Sequence, residues 1–177
     1  NIMVSMESGG GVTAKIFDLG LAKHVDEPGY QTTLSLPGVF VGTMEFASPE
    51  QFAGVDVDIR SDLYSLGVML WEMVTGHGLF RGSRAEVMYQ HERAPLPFER
   101  LEGVPQPIAI LIEVLHDKNP GRRFQTPAEL LKVLPMITDA VEAGRTITHQ
   151  SLRQMPTGDS YAVARCPPAP LAPKKIS

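Results

Sequence analysis

Several groups in this chain have side chains that could do chemistry. Ser8-Gly9-Gly10-Gly11 has the glycine content of a loop that wraps phosphate oxygens with backbone N–H groups. No Gly-Lys-Ser/Thr follows it and no helical pattern begins there, so it reads as the turn of a hairpin. The five histidines, His24, His77, His91, His116 and His149, show neither metal-ligand spacing nor a Gly-x-Ser-x-Gly partner, and they are expected to be surface or capping residues. Cys166 is the only cysteine, which excludes an intrachain disulfide and any zinc site built on cysteines. Asp18, followed by Leu19 and Gly20, is on its own an ordinary turn aspartate.

The elements that must position these groups are legible from pattern. Ile2 to Met6 and Val12 to Phe17 are short apolar runs separated by Glu7-Ser8-Gly9-Gly10-Gly11, which predicts a β-hairpin. From Leu19 to Ser48 no period is visible and Gly, Pro, Ser and Thr dominate, so a long surface loop is expected, a length usually kept for function. Asp62 to Thr75 is almost continuously apolar, with Gly76 and Gly78 as a stop, and predicts a buried helix through the centre of the domain. Trp71, Met69 and Met73 are read as its core residues. Arg84 to Glu92 is a shorter amphipathic helix ended by Pro95 and Pro97, and Gln106 to His116 is another. Thr126 opens a last helix, with Pro127 in its first turn and Glu129 at capping-box distance.

The expected fold is therefore mainly α, a helical bundle with one small β-hairpin and a Pro-rich tail. The compact part is placed at residues 1–143 and the tail at 144–177, where CPPAPLAP precedes Lys174 and Lys175. With 177 residues and 43% hydrophobic composition, one domain can bury a proper core. A net charge of -4 gives no general attraction to nucleic acid or anionic lipid. No run approaches the length of a membrane span and no secretory signal is visible, so a cytoplasmic setting is expected. A first residue of Asn1 rather than Met suggests a fragment or a processed product.

Three stretches, taken together and in order, resemble the protein-kinase family. They are Asp18-Leu19-Gly20, then Gly42-Thr43-Met44-Glu45-Phe46-Ala47-Ser48-Pro49-Glu50, then Ser61-Asp62-Leu63-Tyr64-Ser65-Leu66-Gly67-Val68. The Ser-Pro-Glu-Gln wording is similar to bacterial Ser/Thr kinases, and the resemblance covers roughly residues 1 to 137. It implies the C-terminal lobe of a kinase domain. Phosphoryl transfer spreads charge over the phosphoryl oxygens and needs magnesium held by hard oxygen ligands. By resemblance, Asn1 and Asp18 are those ligands, and ATP and Mg2+ are the cofactors of the complete domain.

The same resemblance assigns supporting roles. Thr43 matches a threonine that hydrogen-bonds the catalytic aspartate, and Glu50 a buried glutamate paired with Arg123 of Asn119-Pro120-Gly121-Arg122-Arg123-Phe124. Asp62 matches an aspartate that anchors the catalytic loop, the alternative being a helix N-cap. Thr32, Thr33 and Ser35 in the activation loop are candidate phosphorylation sites, the alternative being solvated hydroxyls. Leu19 departs from the usual phenylalanine.

The glycine-rich loop, the strand lysine with its glutamate partner, and the catalytic aspartate would all precede Asn1, so no catalytic residue is assigned and the chain alone is expected to be inactive. A piece of this kind is also expected to expose apolar surface and to associate. Two classes remain: a Ser/Thr kinase acting on a protein substrate, with a further domain possible beyond the tail, or a non-catalytic module of the same fold that binds proteins.

Overall fold

The computed structural model describes residues 2–7, 9–17, 43–55 and 57–153. Asn1, Asp18, Thr32, Thr33 and Ser35, together with the Pro-rich tail, lie outside the described residues. The chain divides into two compact units at Leu36 and Pro37.

In the first unit, β1 (Ile2–Met6) and β2 (Val12–Ile16) pair antiparallel, with Ile2 opposite Ile16 and Met6 opposite Val12. The turn closes through Glu7 N–H to the Gly11 carbonyl at 2.7 Å and Gly10 N–H to the Glu7 carbonyl at 2.9 Å. Gly10 sits at φ 83°, a left-handed conformation that costs glycine little. Thr13 Oγ1 donates to Glu7 Oε1 at 2.7 Å, fastening the turn to β2.

The second unit is helical. Ser48 caps α1 (Pro49–Ala53) in a capping box with Gln51, whose Oε1 accepts from Ser48 N at 2.8 Å. The central helix α2 (Ile59–Thr75) begins three residues before the expected start. Asp58, not Asp62, is its N-cap and accepts from Arg60 N at 2.9 Å. The N-cap alternative for Asp62 is thereby corrected, because the residue lies inside the first turn. Gly76, at φ 69°, ends the helix.

The residues α2 buries, Ser61, Leu63, Tyr64, Gly67, Val68 and Trp71, follow helical spacing and divide between two cores. Leu63 joins Leu111, Leu115, Phe124, Val133 and Ile137. Tyr64, Val68 and Trp71 join Leu79, Phe80 and Ile112. The helix is not buried all round, since Met73 is 63% exposed and Met69 only half-buried. Met73 is therefore corrected from core to surface, and its neighbours Glu72 and Val74 are exposed as well.

Four more α-helices follow among the described residues: α3 (Arg84–Arg93), α4 (Gln106–Leu115), α5 (Pro127–Glu142) and α6 (His149–Arg153). Helices α2 and α4 cross closely at Gly67, where an added Cβ would lie 2.7 Å from Leu115 Cβ. Thr126 caps α5 by accepting from Glu129 N at 3.2 Å. The Glu129 carboxylate reaches one residue further back than a capping box does, accepting from Gln125 N at 2.6 Å. Packing continues beyond residue 143, the expected end of the compact part. Gln106 exchanges two 2.9 Å hydrogen bonds with the Ile147 backbone, and Leu152 is buried in the core of Leu63 and Leu115.

Candidate functional site

The best-defined polar constellation among the described residues lies where α1, α2 and the segment after α4 meet. The 43–50 stretch is held to α2 by two serines one helical turn apart. Ser65 Oγ donates to the Phe46 carbonyl at 2.7 Å, and Ser61 Oγ donates to Glu50 Oε1 at 2.6 Å. Positions i and i+4 share a helix face, so residues 61 and 65 both present hydroxyls to the incoming chain.

Glu50 then meets Arg123 in a buried fork. Nη1 donates to Oε1 at 2.6 Å and Nη2 to Oε2 at 2.9 Å. The remaining guanidinium donors go to backbone: Nε to the Asp117 carbonyl at 2.7 Å, Nη1 to the Arg60 carbonyl at 2.9 Å, and Nη2 to the Lys118 carbonyl at 3.4 Å. The guanidinium also stacks over the Tyr64 ring, 4.8 Å from its centroid. Burial alone would raise the Glu50 carboxyl, but donation by Arg123 and Ser61 outweighs it and holds the group below its ordinary range. A charged pair so fully hydrogen-bonded fixes three chain segments at one point.

Thr43 and Asp62 lie near this frame without joining it. Thr43 is exposed and precedes the 3-10 turn Met44–Phe46 without a side-chain capping bond. Asp62 accepts no hydrogen bond among the described residues, and desolvation raises its carboxyl above the ordinary aspartate range.

A second polar cluster adjoins the first and was missed by sequence reasoning. Tyr64 Oη lies 2.9 Å from His91 Nδ1 on α3 and 2.9 Å from His116 Nε2 at the end of α4. Lys118 Nζ approaches the same hydroxyl at 3.5 Å and donates to the Gln90 carbonyl at 3.4 Å. His91 and His116 are 0% and 3% exposed, which corrects the expectation of surface histidines; only His116 sits at a helix C-cap, and it too is buried. A tyrosine hydroxyl inside the core gives each imidazole a polar partner, so burial is tolerated. Desolvation, with Lys118 nearby, lowers His91 to about 4 and His116 well below its ordinary value. Both rings are neutral at physiological pH. His77 and His149 are exposed, as expected, and His24 lies outside the described residues.

Among the described residues no group of three His, Cys, Asp or Glu side chains could hold a metal ion. None of their helices is long and apolar enough to cross a membrane.

A family model described as protein kinase domain matches residues 1–134. The serine/threonine-protein kinase PknB of Mycobacterium leprae is 38% identical over 133 residues, which is 73% of this chain and 20% of that protein. PknB of Mycolicibacterium smegmatis is 39% identical over 134 residues, again 73% of this chain and 20% of that protein. A probable serine/threonine-protein kinase of Clostridium perfringens is 36% identical over 140 residues, 77% of this chain and 19% of that protein. The chain thus spans about a fifth of the length of the curated relatives it matches. The matched region holds all three sequence stretches and both partners of the buried fork, and on these grounds the chain belongs to the bacterial-type Ser/Thr protein kinase family.

Proposed function

We propose that the chain is the helical part of a Ser/Thr protein kinase domain that transfers the γ-phosphate of ATP to a serine or threonine of a protein substrate. The observation that carries this reading is the match of the protein kinase domain over residues 1–134 together with Ser/Thr kinases as relatives. In this reading Asn1 and Asp18 offer an amide and a carboxylate oxygen, hard donors that suit Mg2+. The ion would neutralise charge on the transferring phosphoryl group.

The other assigned residues act on chain geometry. The Glu50 and Arg123 fork, with Ser61 and Ser65, holds the end of the activation segment so that a substrate hydroxyl can be presented to the site. Asp62, whose carboxylate has no hydrogen-bond partner among the described residues, is assigned to the catalytic-loop backbone, and Thr43 to the catalytic aspartate. Neither the catalytic base nor the ATP-clamping lysine is assigned within residues 1–177; both belong to the whole protein in this reading. Thr32, Thr33 and Ser35 are the proposed activating phosphorylation sites, the compact lobe ends before the Pro-rich tail, and the setting is cytoplasmic. A further domain after the tail, and no nucleic-acid or membrane partner, complete the proposal.

The test is a radiolabel transfer assay on the whole protein with ATP, magnesium and a generic Ser/Thr substrate, alongside calorimetric ATP titration of this chain. Transfer by the whole protein that is abolished by Asp18→Ala, with no ATP binding by the chain alone, is the expected result. A whole protein that neither binds ATP nor transfers phosphate would replace the enzyme with a protein-binding module. Tight ATP binding by this chain would overturn the assignment of the nucleotide clamp outside it.

A further inference from the structure

Helix α3 packs against α1 and against the Met44–Phe46 turn, which together make up the stretch that the Glu50 and Arg123 fork secures. His91 of α3 lies at this contact and is completely buried. Its ring centroid is 5.6 Å from that of Phe52 on α1 and 4.9 Å from that of Phe80, which meets it edge to face. Its Nδ1 lies 2.9 Å from Tyr64 Oη on α2. Burial and the Lys118 charge keep the ring neutral, against a smaller pull from the backbone of Glu45, which lies beside it in the turn.

Helix α1 has five residues, too few to be held by its own hydrogen bonds, so its position is set by what it packs against. The fork grips it at Glu50. Residues two apart in a helix point to different faces, so the Phe52 side of α1 needs an anchor of its own. His91 meets it there.

We propose that His91 is a positioning residue for phosphoryl transfer to the protein substrate. It holds α1 and the Met44–Phe46 turn from the α3 side and so keeps the end of the activation segment in the conformation that receives the substrate; this role rests on the kinase reading given above. An imidazole combines two contacts that no apolar side chain offers together. Its planar ring packs between Phe52 and Phe80, and its Nδ1 reaches the hydroxyl of Tyr64, whose ring face carries the Arg123 guanidinium at 4.8 Å. The fork and the histidine therefore share Tyr64 as a common support.

Two variants divide these contacts. His91→Phe keeps an aromatic ring and removes the partner of Tyr64, whereas His91→Asn keeps a polar atom near the position of Nδ1 and removes most of the ring. In the whole protein each is expected to raise KM for a generic Ser/Thr protein substrate about tenfold, with KM for ATP held within about twofold. In the present chain, hydrogen exchange of the amides of residues 44–53 should speed up about tenfold while that of α5 stays as in the wild type, because the loss is local. His91→Phe, which keeps the volume filled, carries the test where His91→Asn does not fold. Exchange that rises equally in both segments would make His91 an ordinary core residue. An active whole protein whose substrate KM neither variant changes would overturn the proposal and leave the kinase reading intact. A wild-type whole protein that transfers no phosphate would overturn that reading, and the positioning role would fall with it.

Discussion

Arg123 and Glu50 lie 73 residues apart in the chain and meet through two hydrogen bonds of 2.6 and 2.9 Å, both side chains buried. Removing either partner leaves the other charge buried and unpaired, a loss of roughly 3 to 5 kcal/mol. Glu50→Gln and Arg123→Met are each expected to lower the urea midpoint by that measure. The double variant should cost less than the sum of the two, and strict additivity would show that the fork is not a coupled unit.

Acidification is expected to destabilise the fold before the Glu50 carboxylate is lost. His91 is lowered to about 4 in the folded chain, so between its ordinary value near 6.5 and that point the unfolded chain binds the extra proton. Stability therefore falls as pH drops through this window, by up to about 1.4 kcal/mol per pH unit for each such imidazole. His116 adds to the effect, since burial lowers it as well. Glu50 acts in a separate range: its folded value is depressed, so its contribution is complete above the ordinary carboxylate value and disappears only as pH falls through the lower one. Thermal denaturation from pH 7 to 5 should show a declining midpoint, and His91→Gln, which cannot titrate, should flatten the decline.

Gly67→Ala separates packing from helix propensity. In a helix free of neighbours alanine would stabilise by about 1 kcal/mol. Here the new Cβ would lie 2.7 Å from Leu115 Cβ, an atom fixed close to the α4 backbone, and the overpacking is expected to cost about 1 to 3 kcal/mol instead. A stabilised variant in a urea titration would mean that the crossing can open without penalty.

Two aspartates of α2 give a contrast. Asp58→Ala removes the N-cap and is expected to cost about 1 kcal/mol. Asp62→Ala removes a carboxylate that accepts no hydrogen bond among the described residues and should leave this chain's urea midpoint nearly unchanged, while abolishing phosphate transfer by the whole protein. A large stability loss at Asp62 would assign it a structural role in this lobe.

Local pattern was enough where local physics decides the outcome. The hairpin follows from two apolar runs around glycines, and Gly76 stops α2 because a left-handed residue was available there. The start of α2 was misplaced because Asp58 and Asp62 both precede helical runs, and only hydrogen bonding distinguishes the cap. Met73 was misread because an apolar residue type does not say which helix face is covered. The meeting of Glu50 with Arg123 was legible through family resemblance. The histidine cluster was not, since their shared partner Tyr64 is 27 residues from His91 and 52 from His116. Ser61 and Ser65 carried a usable signal in their i, i+4 spacing, although nothing local named Glu50 and Phe46 as their targets.

The phenol of Tyr64 has one proton and stands between two imidazole nitrogens at equal distance. When it donates to His91 Nδ1, its oxygen can accept from His116 Nε2–H; when it donates to His116, its oxygen can accept from His91 Nδ1–H. The tautomers of two rings on different helices are therefore not independent, and the trio has two mirrored proton registers rather than four unrelated states. A disturbance that fixes one ring at the end of α3 sets the other at the end of α4, so these helices are linked by the placement of a single hydrogen as well as by packing.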